Sequence, residues 1–203
     1  MVRETGNSEG AIAHGRKAAE LLEEVLANPR SRNEVHFLTL LNIQHQLLRS
    51  VYNLATTYHL VGDLDSAVTH FDKAIHSAGQ LIEAITKMDE AAGGLSMVSD
   101  REMFVQDLSM RPPTQDMVRI SLAHCLAGKA YALGNKGKGE LTEANHTYEQ
   151  AVKLFDDPIA AGRTDLEEKL AGTLINQTNL LREYGRNRES LSLHEEASLR
   201  IRA

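Results

Sequence analysis

The sequence predicts an all-α protein, an α-solenoid of antiparallel helix pairs with about seven main helices. Aromatic residues make up only 4% of the 203 residues and tryptophan is absent, so any core must consist mostly of Leu, Ala, Val and Ile. Only four prolines occur, which leaves long stretches where helices can run unbroken. Apolar residues recur at three- and four-residue steps along most of the chain, which is the spacing of one helix face.

Three helices are predicted in the first half of the chain. The first spans residues 10–27 and ends at Asn28-Pro29. A longer helix is expected over about 33–61, where Gly62-Asp63 closes it. A second long helix follows over about 64–91. These helices form the N-terminal unit at 10–92, after a flexible N-terminus at 1–9.

An irregular insertion is predicted at 93–113, either mobile or packed against the helices. Gly93-Gly94 opens it and Pro112-Pro113 closes it. A capping box from Ser99 to Glu102 indicates a short helix over 100–109. The apolar side chains that could fix this insertion are Met103, Phe104 and Met110.

Four further helices are expected after the insertion, over residues 115–133, 140–156, 164–184 and 187–202. They form two further helix pairs in 114–203. The glycine-rich segment 134–139 separates the first two, and Asp157-Pro158 stops the second. Thr164 and Glu167 form a capping box for the third, which Gly185 ends.

The helix pairs resemble one another. The clearest copy spans residues 52–75 and carries a large-small pair, an aromatic, a Gly-Asp turn and a small-large-small pattern. These features are Leu54-Ala55, Tyr58, Gly62-Asp63, and Ala67, Phe71 and Ala74. This pattern resembles the tetratricopeptide repeat, a helix pair of about 34 residues.

Two weaker copies follow. The copy at 126–154 needs about four extra residues in its turn, and the copy at 174–202 has an ending similar to the kinesin-light-chain type of repeat. Helix 10–27 would be the second helix of a degenerate first repeat, without a first helix of its own. The positions that match the repeat are Gly128, Tyr131, Ala144, Tyr148 and Ala151 in one copy and Gly185, Leu191 and Ala197 in the other.

The resemblance implies that Ala67, Ala74, Ala144 and Ala151 are buried between closely packed helices, and that the first helices of the pairs line a concave face. It also implies a non-catalytic scaffold that binds a peptide or helical partner through the concave groove or a terminal edge. The alternative is a regulatory helical domain that senses a ligand or peptide.

Candidate partner-binding residues lie on the predicted first helices. They are Arg49, Asn53, Lys129, Asn176, Asn179 and Arg182. Repeat domains of this family that grip a peptide's C-terminal carboxylate use Lys, Arg and Asn on this surface, which implies either such a clamp or a general polar contact with an anionic peptide. The middle copy departs from the clamp pattern, because Leu126 stands where an Asn would be.

The final helix is expected to bury its outer apolar side against another structure, since a terminal repeat leaves one apolar side unpacked. Leu199 and Ile201 are the candidates for this C-terminal interface. Self-association, another protein or a longer repeat array would each cover them.

Other functions are disfavoured. The net charge of −6 gives no general attraction to nucleic acid. Cys125, the single cysteine, is expected to be buried, and neighbouring His124 should diverge from it by about 100° and form no nucleophile pair. The nine histidines show no metal-ligand spacing. We therefore expect no enzyme, no cofactor, no membrane insertion and a cytoplasmic location.

Overall fold

The computed structural model describes residues 5–28, 37–92 and 112–202, and side chains for 8–28, 37–90 and 112–200. In these ranges the protein is all-α, as predicted, with seven α-helices and no strand. The helices are α1 (Thr5–Ala27), α2 (Phe37–Val61), α3 (Leu64–Ala92), α4 (Gln115–Lys136), α5 (Leu141–Ala160), α6 (Glu167–Glu183) and α7 (Asn187–Arg202). The predicted insertion, its capping box and its short helix lie outside the described residues, except for Pro112 and Pro113.

Four predicted helix boundaries are wrong. Helix α1 begins at Thr5 and not at residue 10, so residues 5–9 of the predicted flexible N-terminus are helical, and α4 continues to Lys136 instead of ending at residue 133. Helix α5 does not stop at Asp157-Pro158 but continues to Ala160, with Pro158 inside its last turn. A proline there removes a single helix hydrogen bond, and the Pro158 carbonyl still accepts the N–H of Arg163. Thr164 does not cap α6, because it lies in a 3₁₀ turn (Thr164–Leu166) and makes no side-chain cap.

Glycines in the left-handed conformation end α2, α5 and α6. They are Gly62 (φ 84°), Gly162 (φ 98°) and Gly185 (φ 77°). At the first of these, Gly62 N donates to His59 O and Asp63 N donates to Tyr58 O, which is the Schellman arrangement. Asp63 then accepts the N–H of Ser66 at 3.1 Å and so begins α3 immediately.

Each helix packs against the next one in the chain, from α1 to α7. In addition α2 touches α4, and α4 touches α6. This order gives a solenoid-like arrangement in which α2, α4 and α6 are the first helices of successive pairs, and α3, α5 and α7 are the second helices.

Small residues let the helices approach closely, as predicted. Ala67, Ala74, Ala144 and Ala151 are all fully buried. Gly128 allows an even closer contact, because a Cβ atom there would lie 2.5 Å from the ring of Phe71. Among the repeat aromatics, Tyr58, Phe71 and Tyr148 are buried, whereas Tyr131 is 46% exposed.

Candidate functional site

The exposed sides of α2, α4 and α6 form a surface that we call the first-helix face. The carboxyl ends of these helices lie side by side. Asn135 Nδ2 of α4 lies 3.0 Å from His59 Nε2 of α2. The Tyr184 hydroxyl, just after α6, donates to the Gly134 carbonyl of α4 at 3.2 Å. The three first helices therefore run in the same direction with their ends aligned.

An aromatic pair marks the junction between α2 and α4. The rings of His59 and Tyr131 have their centroids 4.8 Å apart. Burial lowers the pKa of His59, so its ring is neutral at physiological pH and Nε2 can accept the Asn135 amide proton. Tyr131 keeps nearly half of its surface exposed. The junction thus offers an aromatic surface that the fold does not cover.

The α2 candidates, Arg49 and Asn53, are both exposed. They lie one turn apart, so the two side chains share a side of the helix. Arg49 also acts on the neighbouring His45, whose pKa is lowered by burial and then by the positive charge of Arg49. Both candidates are therefore accessible to a partner.

The α6 candidates are brought together by the structure. Arg182 Nη2 donates to Asn179 Oδ1 at 3.0 Å, and Asn176 is exposed one turn earlier. Ile175 adds an exposed apolar side chain beside them. Within the described ranges, no hydrogen bond or ion pair links this group to Arg49 or Asn53. The predicted residues thus form two separate polar groups.

Lys129, the candidate residue on α4, belongs to neither of these two polar groups. Its Nζ is 2.9 Å from Asp72 Oδ1 of α3 and 2.9 Å from Glu143 Oε1 of α5, and its side chain is only 15% exposed. Desolvation opposes its charge, but hydrogen bonds and attraction from both carboxylates outweigh this and raise its pKa. Because Lys129 and Tyr131 are about 200° apart around α4, Lys129 faces the second helices and not the first-helix face.

A groove of about 470 Å³ lies between α5 and α7, with α6 as its floor. Its apolar lining is Val152, Leu174, Leu181 and Leu193, and its polar lining is Asn145, Glu149, Lys153, Asp156, Gln177, Glu189, Ser192 and Glu196. Since Gln177 and Asn179 are about 200° apart on α6, this groove and the first-helix face occupy opposite sides of that helix.

A chain of hydrogen bonds crosses the groove floor. Gln177 Nε2 donates to Asn145 Oδ1 at 2.9 Å, and Asn145 Nδ2 donates to Glu149 Oε1 at 2.8 Å. Gln177 is only 3% exposed. Gln177 is not among the residues predicted from the sequence, although a signal exists: it stands in the apolar series Leu170, Leu174 and Leu181, where a leucine would be expected.

Ion pairs hold the rims of the groove. Arg200 of α7 donates to Asp156 of α5 at 3.0 Å and lies 3.7 Å from Glu196. Arg186 Nε donates to Glu189 at 2.8 Å. Glu149 accepts a hydrogen bond from the Asn145 amide and lies 3.6 Å from the ring of His146. The pKa of Arg186 is raised first by its hydrogen bond to Glu189 and also by the charge of Glu149.

The potential nucleophile and its neighbour point apart, as predicted. Cys125 is buried among residues of α2 and α3, and burial raises its pKa to about 12. The His124 ring lies against Phe155 of α5, with centroids 5.3 Å apart. Among the described side chains, no three His, Cys, Asp or Glu residues come together as a metal site requires.

The C-terminal candidates are only partly described. Leu199 is 70% exposed on α7 and Leu191 is also exposed, whereas the side chain of Ile201 lies outside the described part. Leu199 therefore leaves an apolar surface open on the last helix.

Comparisons with known proteins do not assign this chain to a family. No family model matches the sequence, and no curated protein matches it. The described helices include none with the length and apolar character needed to cross a bilayer.

Proposed function

We propose that this chain is a tetratricopeptide-like scaffold that binds a partner protein through its first-helix face. The observation that carries the proposal is Tyr131, a half-exposed aromatic at the junction of two first helices. Exposed aromatics of this kind are common anchors in protein interfaces because they bury a large area at low entropic cost.

The polar groups on either side of Tyr131 suggest the chemistry of the partner. Arg49 and Asn53 on α2, and Asn179 and Arg182 on α6, present guanidinium and amide donors. Such donors bind carboxylates and backbone carbonyls of a peptide. An acidic peptide or the acidic face of a helix fits these two groups.

A binding role also fits the burial and pairing of two potentially reactive side chains, Cys125 and Lys129. The Cys125 thiol is buried and protonated, and Lys129 is occupied by two carboxylates. Neither has the accessible, activated form that a nucleophile or general base needs. A cytoplasmic location is part of this proposal, since a single unpaired cysteine suits a reducing compartment.

Photo-crosslinking tests the proposal directly. A benzophenone amino acid placed at Tyr131 or Asn176 should capture the same partner from a lysate of the source cells. The same probe at Lys73, an exposed residue of second helix α3, is the matched control and should not capture it. Captured proteins are identified by mass spectrometry.

Charge reversal supplies the second arm of the test. Arg49→Glu and Arg182→Glu should each weaken binding of the captured partner by about tenfold or more, because the donors are replaced by repelling carboxylates. Lys73→Glu should leave binding unchanged. Failure to recover a reproducible partner at Tyr131 and Asn176, or equal binding by all three variants, would refute the proposal.

A further inference from the structure

Helix α1 follows the residue pattern of the second helices. Residues 11–25 align with residues 67–81 of α3, so that Gly15 corresponds to Phe71. Both of these residues contact the first helix that follows them in the chain. Phe71 lies against α4, and a Cβ atom on Gly15 would lie 3.3 Å from Leu54 of α2. Toward the following helix, α1 therefore has the contacts of a second helix.

The small residues of this pattern are exposed in α1 and buried in the other second helices. Ala11 and Ala18 of α1 are both exposed. Their counterparts in α3, α5 and α7 are all buried, namely Ala67, Ala144 and Ser190 for Ala11, and Ala74, Ala151 and Ala197 for Ala18. The preceding first helix helps to cover them, since Ala67 and Ala144 lie in cores shared with α2 and α4. Among the described helices, the main neighbour of α1 is α2, which follows it.

The exposed residues of α1 form a stripe that we call the α1 flank. Its members recur at alternating steps of three and four residues, and they are Ala11, His14, Ala18, Leu21 and Val25. Leu21 is 48% and Val25 is 40% exposed. This is the spacing of a seam between two packed helices. The stripe is about 21 Å long at the helical rise, which matches a partner helix of about 15 residues.

A different stripe of α1 packs against α2. It includes Ile12 and Ala19, which join the cores that contain α2 residues. Each of these residues is next in sequence to a member of the α1 flank, so the two stripes are about 100° apart around the helix. Contact with α2 therefore leaves the α1 flank open.

The charges beside the α1 flank suit an antiparallel helix. Lys17 and Glu24 are both exposed and lie two turns apart. Within α1, the Lys17 ammonium is 3.9 Å from the Glu20 carboxylate, and both side chains are about two-thirds exposed, so this pair holds Lys17 only weakly. Helix α1 has no acidic residue in its first turn and no basic residue in its last. An antiparallel neighbour would place its partly positive N-terminus near Glu24 and its partly negative C-terminus near Lys17.

We propose that the α1 flank binds an amphipathic helix of a partner protein, antiparallel to α1, in the position that a first helix takes beside the other second helices. The apolar stripe of the partner helix lies on Leu21 and Val25. A basic residue near its N-terminus pairs with Glu24, and an acidic residue near its C-terminus pairs with Lys17. The inference goes beyond the proposed function, because the α1 flank is not part of the first-helix face.

Titration of the whole chain with designed helices, followed by backbone amide NMR shifts, tests this inference. The probe is a capped peptide of about 21 residues, three heptads with a leucine stripe, held helical by a hydrocarbon link on the opposite side. It carries lysines beside the stripe near its N-terminus and glutamates near its C-terminus. One control peptide exchanges the lysines and glutamates, and another replaces the stripe leucines with serine.

We expect the probe to shift backbone amides of α1 between Ala11 and Val25. The charge-exchanged peptide should bind more weakly, because each of its charged ends meets a like charge on α1. The serine peptide should not bind, because it has no apolar surface to bury on the α1 flank.

Variants at exposed positions locate the interaction. Leu21→Glu should weaken binding of the probe by about tenfold or more, because it places a charge in the apolar seam. Leu191→Glu is the matched control, since Leu191 is 60% exposed on α7, and it should have no effect. The double variant Lys17→Glu and Glu24→Lys should invert the preference, so that the charge-exchanged peptide binds more tightly than the probe. A melting curve of each variant checks its folding.

Three results would overturn the inference: no shift at millimolar probe, equal binding by wild type and Leu21→Glu, or an unchanged peptide preference in the double variant. Self-association of wild type that Leu21→Glu abolishes would also overturn it, because a second copy of this chain would then cover the α1 flank. A partner captured at Tyr131 alongside any of these results would leave the proposed function standing. Binding of the probe to α1 without capture at Tyr131 would refute the proposed function alone.

Discussion

Gly128 of α4 lies directly against the ring of Phe71 of α3: a Cβ atom on Gly128 would come within 2.5 Å of the phenyl Cε1. Phe71 is itself buried and packs edge-on against Tyr52, with ring centroids 5.9 Å apart. The ring therefore has little room to withdraw. The contact fixes how closely the first described repeat-like pair approaches the second.

We expect Gly128→Ala to destabilise the protein, although alanine is the better helix former. The gain in helix propensity is about 1 kcal/mol. A methyl group on the partly buried Gly128 would overpack against the buried ring of Phe71, which costs about 1 to 3 kcal/mol. Gly79→Ala is the matched control, because Gly79 is exposed on α3 and has nothing within 4 Å of its added Cβ. Urea unfolding should give Gly79→Ala a higher free energy of unfolding than wild type and Gly128→Ala a lower one. A Gly128→Ala variant that is more stable than wild type would contradict the close contact with Phe71.

The repeat pattern anticipated much of this packing. The buried alanines, the glycine turns at Gly62 and Gly185 and the bounds of α7 follow from local spacing, and local spacing can be seen in one sequence. Local spacing could not reveal side-chain contacts between residues that are distant in the chain. Lys129 and Gln177 are polar residues of first helices whose side chains are directed by residues of other helices. Lys129 pairs with Asp72 and Glu143, and Gln177 donates to Asn145.

Lys129 should contribute to stability through charge. Lys129→Met keeps most of the buried stem but leaves Asp72 and Glu143 without their shared cation. Because both carboxylates are about half exposed, solvent screens the interaction and we expect a loss of only about 1 kcal/mol. Lys73→Met, at an exposed lysine of α3, should change stability by less than about 0.5 kcal/mol.

The contribution of Lys129 should also depend on pH in a defined direction. Its pKa in the folded protein is raised above the ordinary value of 10.5, so the stabilisation is fully present below pH 10.5 and is lost as pH rises through the folded pKa. The difference in unfolding free energy between wild type and Lys129→Met should therefore be constant near neutral pH and shrink in alkali. A difference that grows above pH 10.5 would contradict the ion pairs.

Cys125 should be unreactive in the native state. Burial raises its pKa to about 12 from 9.0, so the thiolate is scarce at pH 8 and is also shielded from reagents. Ellman's reagent at pH 8 should modify the native protein slowly and the urea-unfolded protein at the rate of free glutathione. Rapid labelling without urea would show that the contacts between α4 and the α2–α3 pair open readily.

Leu199 provides a test of the C-terminal edge. It is 70% exposed, and Leu191 on the same helix is 60% exposed; residues eight apart are separated by about 80° around a helix, so both lie toward one side of α7. Exposed leucines grouped in this way favour association, because burying apolar surface releases about 25 cal/mol per Å². We expect wild type to associate in a concentration series measured by light scattering and Leu199→Glu to shift toward monomer.

Leu60→Glu is the control, since Leu60 is 77% exposed at the end of α2 and lies on a different helix. Equal behaviour of wild type and Leu199→Glu, or an equal shift in Leu60→Glu, would show that α7 is not the associating surface.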